Sequence, residues 1–189
     1  MSVSSANYMA KIVLLGDGAV GKTSLRRMYL GKGFNQSHLM TIGADFATTN
    51  IQIGDEVLNT QIWDIAGQQN FKMIRQRFLV GSHGAMIVYD VTRPSSFHNL
   101  SSWLNELWTT NRRTDIPLLF IGNKTDLVNQ RKVSKKEAEK FVNEVRLHPR
   151  LRGVPILYIE TSAKMGENVV EAFQLLGKEI VSKFKARRL

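Results

Sequence analysis

Gly16-Asp-Gly-Ala-Val-Gly-Lys-Thr23 is the stretch on which the fold turns. It follows the apolar run Lys11-Ile-Val-Leu-Leu15 and leads into an amphipathic segment over residues 22–30. The octet matches G-x-x-x-x-G-K-[ST], and a strand before it and a helix after it are the setting that pattern requires. Glycines let the backbone curl until successive N–H groups point inward, a cradle for phosphate oxygens. The helix N-terminus adds a favourable dipole. Lys22 brings a compact positive charge for β- and γ-phosphates, and the Thr23 hydroxyl is a hard oxygen ligand suited to Mg²⁺. Gly16, Asp17, Gly18, Ala19, Val20, Gly21, Lys22, Thr23 and Ser24 are the expected phosphate contacts. The plainer reading, a glycine-rich turn with a chance lysine, does not account for the strand–loop–helix context.

Working outward, short apolar runs alternate with amphipathic segments. Residues 46–53 and 57–63 flank Gly54-Asp55, a turn signal, and are expected to form an antiparallel hairpin. Residues 85–89, 118–121 and 156–159 read as further buried strands, with helices over 95–111, 134–147 and 167–185. Strands alternating with helices predict an α/β fold: a mostly parallel sheet covered on both faces, with its ligand at the carboxyl ends of the strands. Chemical motifs should then fall just after strands, and they do.

Asn123-Lys-Thr-Asp126 follows one strand. The Asp126 carboxylate can accept both N1–H and the exocyclic amine of guanine. Adenine lacks that pair and would leave a buried carboxylate unpaired. The Lys124 stem can lie across the base. By itself the motif reads equally well as a polar turn. Glu160-Thr-Ser162-Ala163-Lys164 follows the last strand, and its backbone can meet the guanine carbonyl. Trp63-Asp64-Ile-Ala-Gly67-Gln68 closes the hairpin. Asp64 is placed to hold Mg²⁺, Gly67 to offer its N–H to a γ-phosphate, and Gln68 to orient an attacking water. Thr41 can complete the Mg²⁺ shell only while that phosphate is present, the logic of an order–disorder switch.

With these ordered motifs the chain resembles a small GTPase of the Ras superfamily, in its Rab-like branch, over nearly its whole length. Thr41-Ile-Gly-Ala-Asp-Phe46 and Trp63-Asp-Ile-Ala-Gly-Gln68 are similar to Rab-type switch segments. The resemblance implies the three-layer P-loop NTPase fold, with a six-stranded sheet, one strand antiparallel, and five helices. It implies that Phe34 packs edge-on against guanine, that Gly18 leaves room beside Gln68, and that Gln68 and Lys22 are the catalytic pair. It implies GTP/GDP and Mg²⁺ as ligands, the latter through Thr23, Thr41 and Asp64, and slow intrinsic hydrolysis. No arginine is assigned internally from the sequence, so a partner supplying one should accelerate turnover by roughly 10³–10⁵. Effectors, GTPase-activating and nucleotide-exchange proteins are expected to read residues 34–46 and 66–80. The chain departs from the family at His38, where Tyr is usual, and at Gln69-Asn70, where Glu-Arg is usual.

The 189 residues suit one domain, expected over 10–186, with a leader at 1–9 and a basic tail end at 187–189. There is no cysteine, which excludes disulfides, thiolate metal sites and cysteine lipidation of this chain. No apolar run approaches the roughly 20 residues needed to span a bilayer. The expected location is the cytoplasm. The net charge is +10, and residues 178–189 carry five basic side chains against one acidic. This basic end either complements a helix dipole, the preferred reading, or touches anionic lipid at a membrane periphery. Residues 146–155 read as a surface loop. No interleaved aromatic–basic motif supports nucleic acid, Asp126 opposes an ATP-using kinase, and a monomer is expected. The alternative class is a nucleotide-bound scaffold that does not cycle.

Overall fold

The computed structural model describes residues 7–34, 41–68, 72–111 and 115–187. Among them run six strands: β1 (Asn7–Leu15), β2 (Ala44–Ile53), β3 (Glu56–Ile65), β4 (Gly84–Asp90), β5 (Leu118–Asn123) and β6 (Ile156–Thr161). Their order in the single sheet is β2-β3-β1-β4-β5-β6. β2 pairs antiparallel with β3, and the other neighbours are parallel. The hairpin register joins Ile53 to Glu56 across the expected turn.

The helices are α1 (Lys22–Tyr29), α2 (Lys72–Leu79), α3 (Pro94–His98), α4 (Leu100–Asn111), α5 (Lys135–Arg146) and α6 (Val169–Ala186). α3 and α4 are the expected helix over 95–111, interrupted at Asn99. Backbone bonds from Asn99 to Ser95 and from Trp103 to Asn99, both 3.1 Å, carry the ladder across the break. Counted as one helix, the pair gives the five anticipated.

Alternation along the central strands supplies two cores, one on each face. Val13, Leu15, Ile87, Tyr89 and Phe120 pack with Leu104 and Leu107 of α4 and Val142 of α5. Ile12, Leu14, Met86, Val88 and Leu119 pack with Leu25 of α1 and Phe173 and Leu176 of α6. Strands buried on both faces read as continuous apolar runs, as β1 and β5 do.

Two elements differ from expectation. β1 begins at Asn7, inside the stretch read as a leader, because Tyr8 and Ala10 are buried while Met9 faces out. α2 is the fifth helix that the resemblance implies, at a position not read from the sequence. Eight residues make a marginal helix alone, and its stability comes from docking rather than propensity. The loop before β6 lies at the surface as expected and is anchored at two points: the Arg146 guanidinium donates to the Ile156 carbonyl at 2.8 and 2.9 Å, and Leu151 is buried. No helix among the described residues is long and apolar enough to cross a membrane.

Candidate functional site

The carboxyl ends of β1, β3, β4, β5 and β6 bring every sequence motif to one edge of the sheet. At the end of β1 the loop turns through Gly16, whose φ of +133° and contact with Val88 leave no place for a Cβ. The loop ends at Gly21, the residue before α1. Gly21 has no side chain to cap that helix, and no acidic residue sits in its first turn. The first N–H groups of α1 are thus open to an anion. Lys22 curls back over the loop, its Nζ donating to the carbonyls of Gly16 at 2.7 Å and Asp17 at 2.8 Å. Burial lowers its pKa to about 8, against the pull of Asp64 and Asp17. Phosphate oxygens would compensate that buried cation.

Thr23, Thr41 and Asp64 meet at one point. The Thr23 hydroxyl donates to Asp64 Oδ2 at 2.5 Å and lies 3.0 Å from the Thr41 hydroxyl, which is 3.4 Å from the same carboxylate oxygen. Burial raises the Asp64 carboxyl above its ordinary value, opposed by the Thr23 bond and the charges of Lys22 and Arg26. Asp64 Oδ1 is buried with no hydrogen-bond partner. An orphaned anionic oxygen beside two hydroxyls is a hard-donor set that fits Mg²⁺, which takes few protein ligands and keeps waters and phosphates. No group of three His, Cys, Asp or Glu among the described residues offers an alternative.

Gly67 presses on the phosphate loop, where a Cβ would lie 2.5 Å from Gly16 O and Gly18 N. Gln68 stands beside Gly18, its Cγ 4.0 Å from where a Gly18 Cβ would be. The base-reading loops are tied together from below. Asn123, buried at the end of β5, donates to the Val20 carbonyl at 2.8 Å and accepts from Thr161 Oγ1 and Ala163 N, both at 3.1 Å. It is therefore a strut between the phosphate loop and the loop after β6. Asp126 accepts from Ser162 Oγ at 2.6 Å. Lys124 takes a φ of +71° and pairs with Asp90 Oδ2 at 2.6 Å. Burial alone would raise Asp90, but Lys124 and Thr92 outweigh it and hold the carboxyl below its ordinary range. Phe34 is half-buried, Ser24 is half-buried, and Lys164 is exposed.

The family model described as the Ras family matches residues 11–182 of this geometry's chain. The chain belongs to the Ras family. It is similar to GTP-binding protein ypt3 of Schizosaccharomyces pombe, with 41% identity over 174 residues, 92% of this chain and 77% of that protein. It is 42% identical to Ras-related protein Rab7 of Drosophila melanogaster over 173 residues, 90% of this chain and 79% of that one. Against Ras-related protein Rab-13 of Rattus norvegicus it is 35% identical over 182 residues, 96% and 85% of the two chains. It is thus a Rab-like small GTPase, an enzyme class that converts GTP to GDP and phosphate.

Several residues of this Ras-family site were not read from the sequence. Asp17 turns its side chain outward, accepting from Asn99 Nδ2 at 2.9 Å and Trp103 Nε1 at 2.8 Å. The Trp103 ring lies under Arg75, 4.5 Å from the guanidinium carbon to the ring centroid. Arg75 forks onto Glu106 at 2.7 and 2.9 Å and donates to the carbonyls of Ala66 at 3.2 Å and Gln68 at 2.8 Å. One buried arginine so fastens α2 and the Gln68 segment to α4. Phe46, Trp63 and Phe78 form a stacked ladder with centroid spacings of 4.7 and 5.4 Å. The Phe46–Trp63 pair is a cross-strand register partner and was legible once the hairpin was fixed. His38, Gln69 and Asn70 lie outside the described residues.

Proposed function

We propose that this GTPase is a regulatory switch with slow, Mg²⁺-dependent intrinsic hydrolysis, acting in trafficking or signalling. The meeting of Thr23, Thr41 and Asp64 carries the reading. It joins the phosphate loop, the segment before β2 and the end of β3 at one oxygen-rich point. A bound Mg²⁺ there would neutralise charge on the β- and γ-phosphates. Lys22 and the open N–H groups of α1 would hold the phosphates. Asp126, steadied by Ser162, would accept from the guanine edge, with Asn123 bracing both loops, Ala163 and Lys164 completing the pocket and Phe34 against the ring. Gln68 would orient the water that attacks the γ-phosphorus.

Loss of the γ-phosphate would release Thr41 and Gly67, and partners would sense this over residues 34–46 and 66–80. The half-exposed Phe46 and the exposed Ile42 and Met73 supply apolar contact area on that surface. The basic end of α6 complements the helix C-terminus, with Lys183 and Arg187 paired to Asp115 and Lys185 to Glu56. Competition of GTP, GDP and ATP against a fluorescent GDP analogue tests the nucleotide. GTP and GDP should displace it at concentrations at least about 100-fold below that needed of ATP, the discrimination expected when a site's polar groups lose their partners. Equal displacement by ATP would contradict the assignment.

A further inference from the structure

Asn99, Trp103 and Glu106 stand at i, i+4 and i+7 along α4 and the residue before it, so they share one face over about 10 Å of helix. The bond from Trp103 N to the Asn99 carbonyl at 3.1 Å keeps them in register across the break after α3. The start of this face belongs to the phosphate loop. Asp17 Oδ2 accepts from Asn99 Nδ2 at 2.9 Å and Oδ1 from Trp103 Nε1 at 2.8 Å. A carboxylate beside a phosphate site faces like charge, and these two donors hold it turned away. Further along, the same face belongs to the Gln68 segment through Arg75. The Trp103 ring carries that guanidinium at 4.5 Å, Glu106 takes its fork, and Nη1 donates to the carbonyls of Ala66 and Gln68. Gly67, between those carbonyls, abuts the phosphate loop again: a Cβ on it would lie 2.4 Å from the Asp17 carbonyl carbon. The contacts close a circuit, from Asp17 through Trp103 and Arg75 to the Gln68 segment and back to Asp17. A buried indole needs an acceptor for its N–H. Packing does not require that this acceptor be the phosphate loop while the ring face carries the arginine that holds Gln68.

We propose that Trp103 is a positioning residue for GTP hydrolysis, setting the Gln68 backbone against the phosphate loop through Asp17 on one side and Arg75 on the other. The inference rests on GTP occupying the loop from Gly16 to Thr23 and on Gln68 orienting the attacking water. Trp103 acts through alignment rather than contact with the reacting atoms. Alignment is worth much in rate, since a displacement of about 1 Å can slow a reaction by about 100-fold. The two links lie in series along one helix face. Cutting either one releases Gln68 from its register with the loop, and cutting the second then adds little.

The test is a double-mutant cycle on the single-turnover rate of the full chain at saturating GTP and Mg²⁺. Trp103→Phe keeps a ring face for Arg75 and deletes the bond to Asp17. Arg75→Met with Glu106→Leu deletes the other link without stranding a buried charge. Each should slow hydrolysis by about 10- to 100-fold, the order that lost alignment costs. Affinity of Trp103→Phe for a fluorescent GDP analogue should stay close to that of the parent. The three changes together should be no slower than the slower of the two alone. Effects that multiply would reveal independent props and overturn the proposal, as would an unchanged rate in Trp103→Phe. Asp17→Ala cuts the same link from the loop side and leaves the core in place. It should slow hydrolysis likewise, and normal turnover there would overturn the proposal whether or not Trp103→Phe folds. Failure of the parent chain to bind the GDP analogue would instead overturn the nucleotide reading beneath it.

Discussion

Removing Glu106 tests how the catalytic segment is held. Arg75 is 1% exposed and Glu106 10%, so their paired bonds of 2.7 and 2.9 Å are shielded from water. In Glu106→Ala the guanidinium stays buried with only the Ala66 and Gln68 carbonyls and the Trp103 face. Breaking a buried pair on one side costs about 3–5 kcal/mol. For a domain of this size each kcal/mol lowers the melting temperature by about 2–4 °C, so a fall of about 6–20 °C follows. Replacing both partners, Arg75→Met with Glu106→Leu, removes the stranded charge and should recover most of that loss. The double variant should still hydrolyse GTP more slowly than the parent, because the donors to Ala66 and Gln68 are gone. Urea unfolding at saturating GDP and Mg²⁺ gives the stabilities, and single-turnover assays the rates. A Glu106→Ala cost below about 1 kcal/mol, the range of an exposed pair, would refute the clamp. So would a double variant no more stable than the single.

Gly18→Val places branched carbons against the Gln68 side chain and should slow hydrolysis while GTP stays bound; normal turnover would show that the catalytic site is misplaced. Asp126→Ala removes an acceptor for guanine, and two charge-assisted bonds at about 1.5 kcal/mol or more each predict at least a hundredfold loss of preference for GTP over ATP in competition. Asn123→Ala deletes three buried bonds, which at about 1 kcal/mol apiece should destabilise the fold by about 3 kcal/mol and speed GDP release, measured by denaturant titration and analogue chase. Chelation of Mg²⁺ should also accelerate GDP release, and a release rate indifferent to chelator would tell against the Thr23–Asp64 site.

The loops were legible because their chemistry dictates local sequence. A phosphate cradle needs glycines beside lysine, and Gly16 and Gly67 leave space for no other residue. The buried strands were legible because both faces of β1 and β5 are covered. The start of β1 was hidden because the buried Tyr8 and exposed Met9 alternate within an uncharged, serine-rich stretch. α2 was hidden because its order derives from Arg75, and nothing in the spacing of an arginine tells whether it will be solvated or buried against a glutamate 31 positions away. Asp17 was read as a phosphate contact from its place in the loop. Its side chain bonds Asn99 and Trp103, a tertiary pairing invisible along the chain.

Single-turnover hydrolysis with protein in excess over GTP tests the central claim most directly. With Mg²⁺ present, acid-quenched samples should show GTP converting to GDP and phosphate. Gln68→Leu should bind GTP as tightly and convert it far more slowly. GTP recovered intact from the parent chain at all times would contradict a cycling switch and leave a nucleotide-bound scaffold in its place.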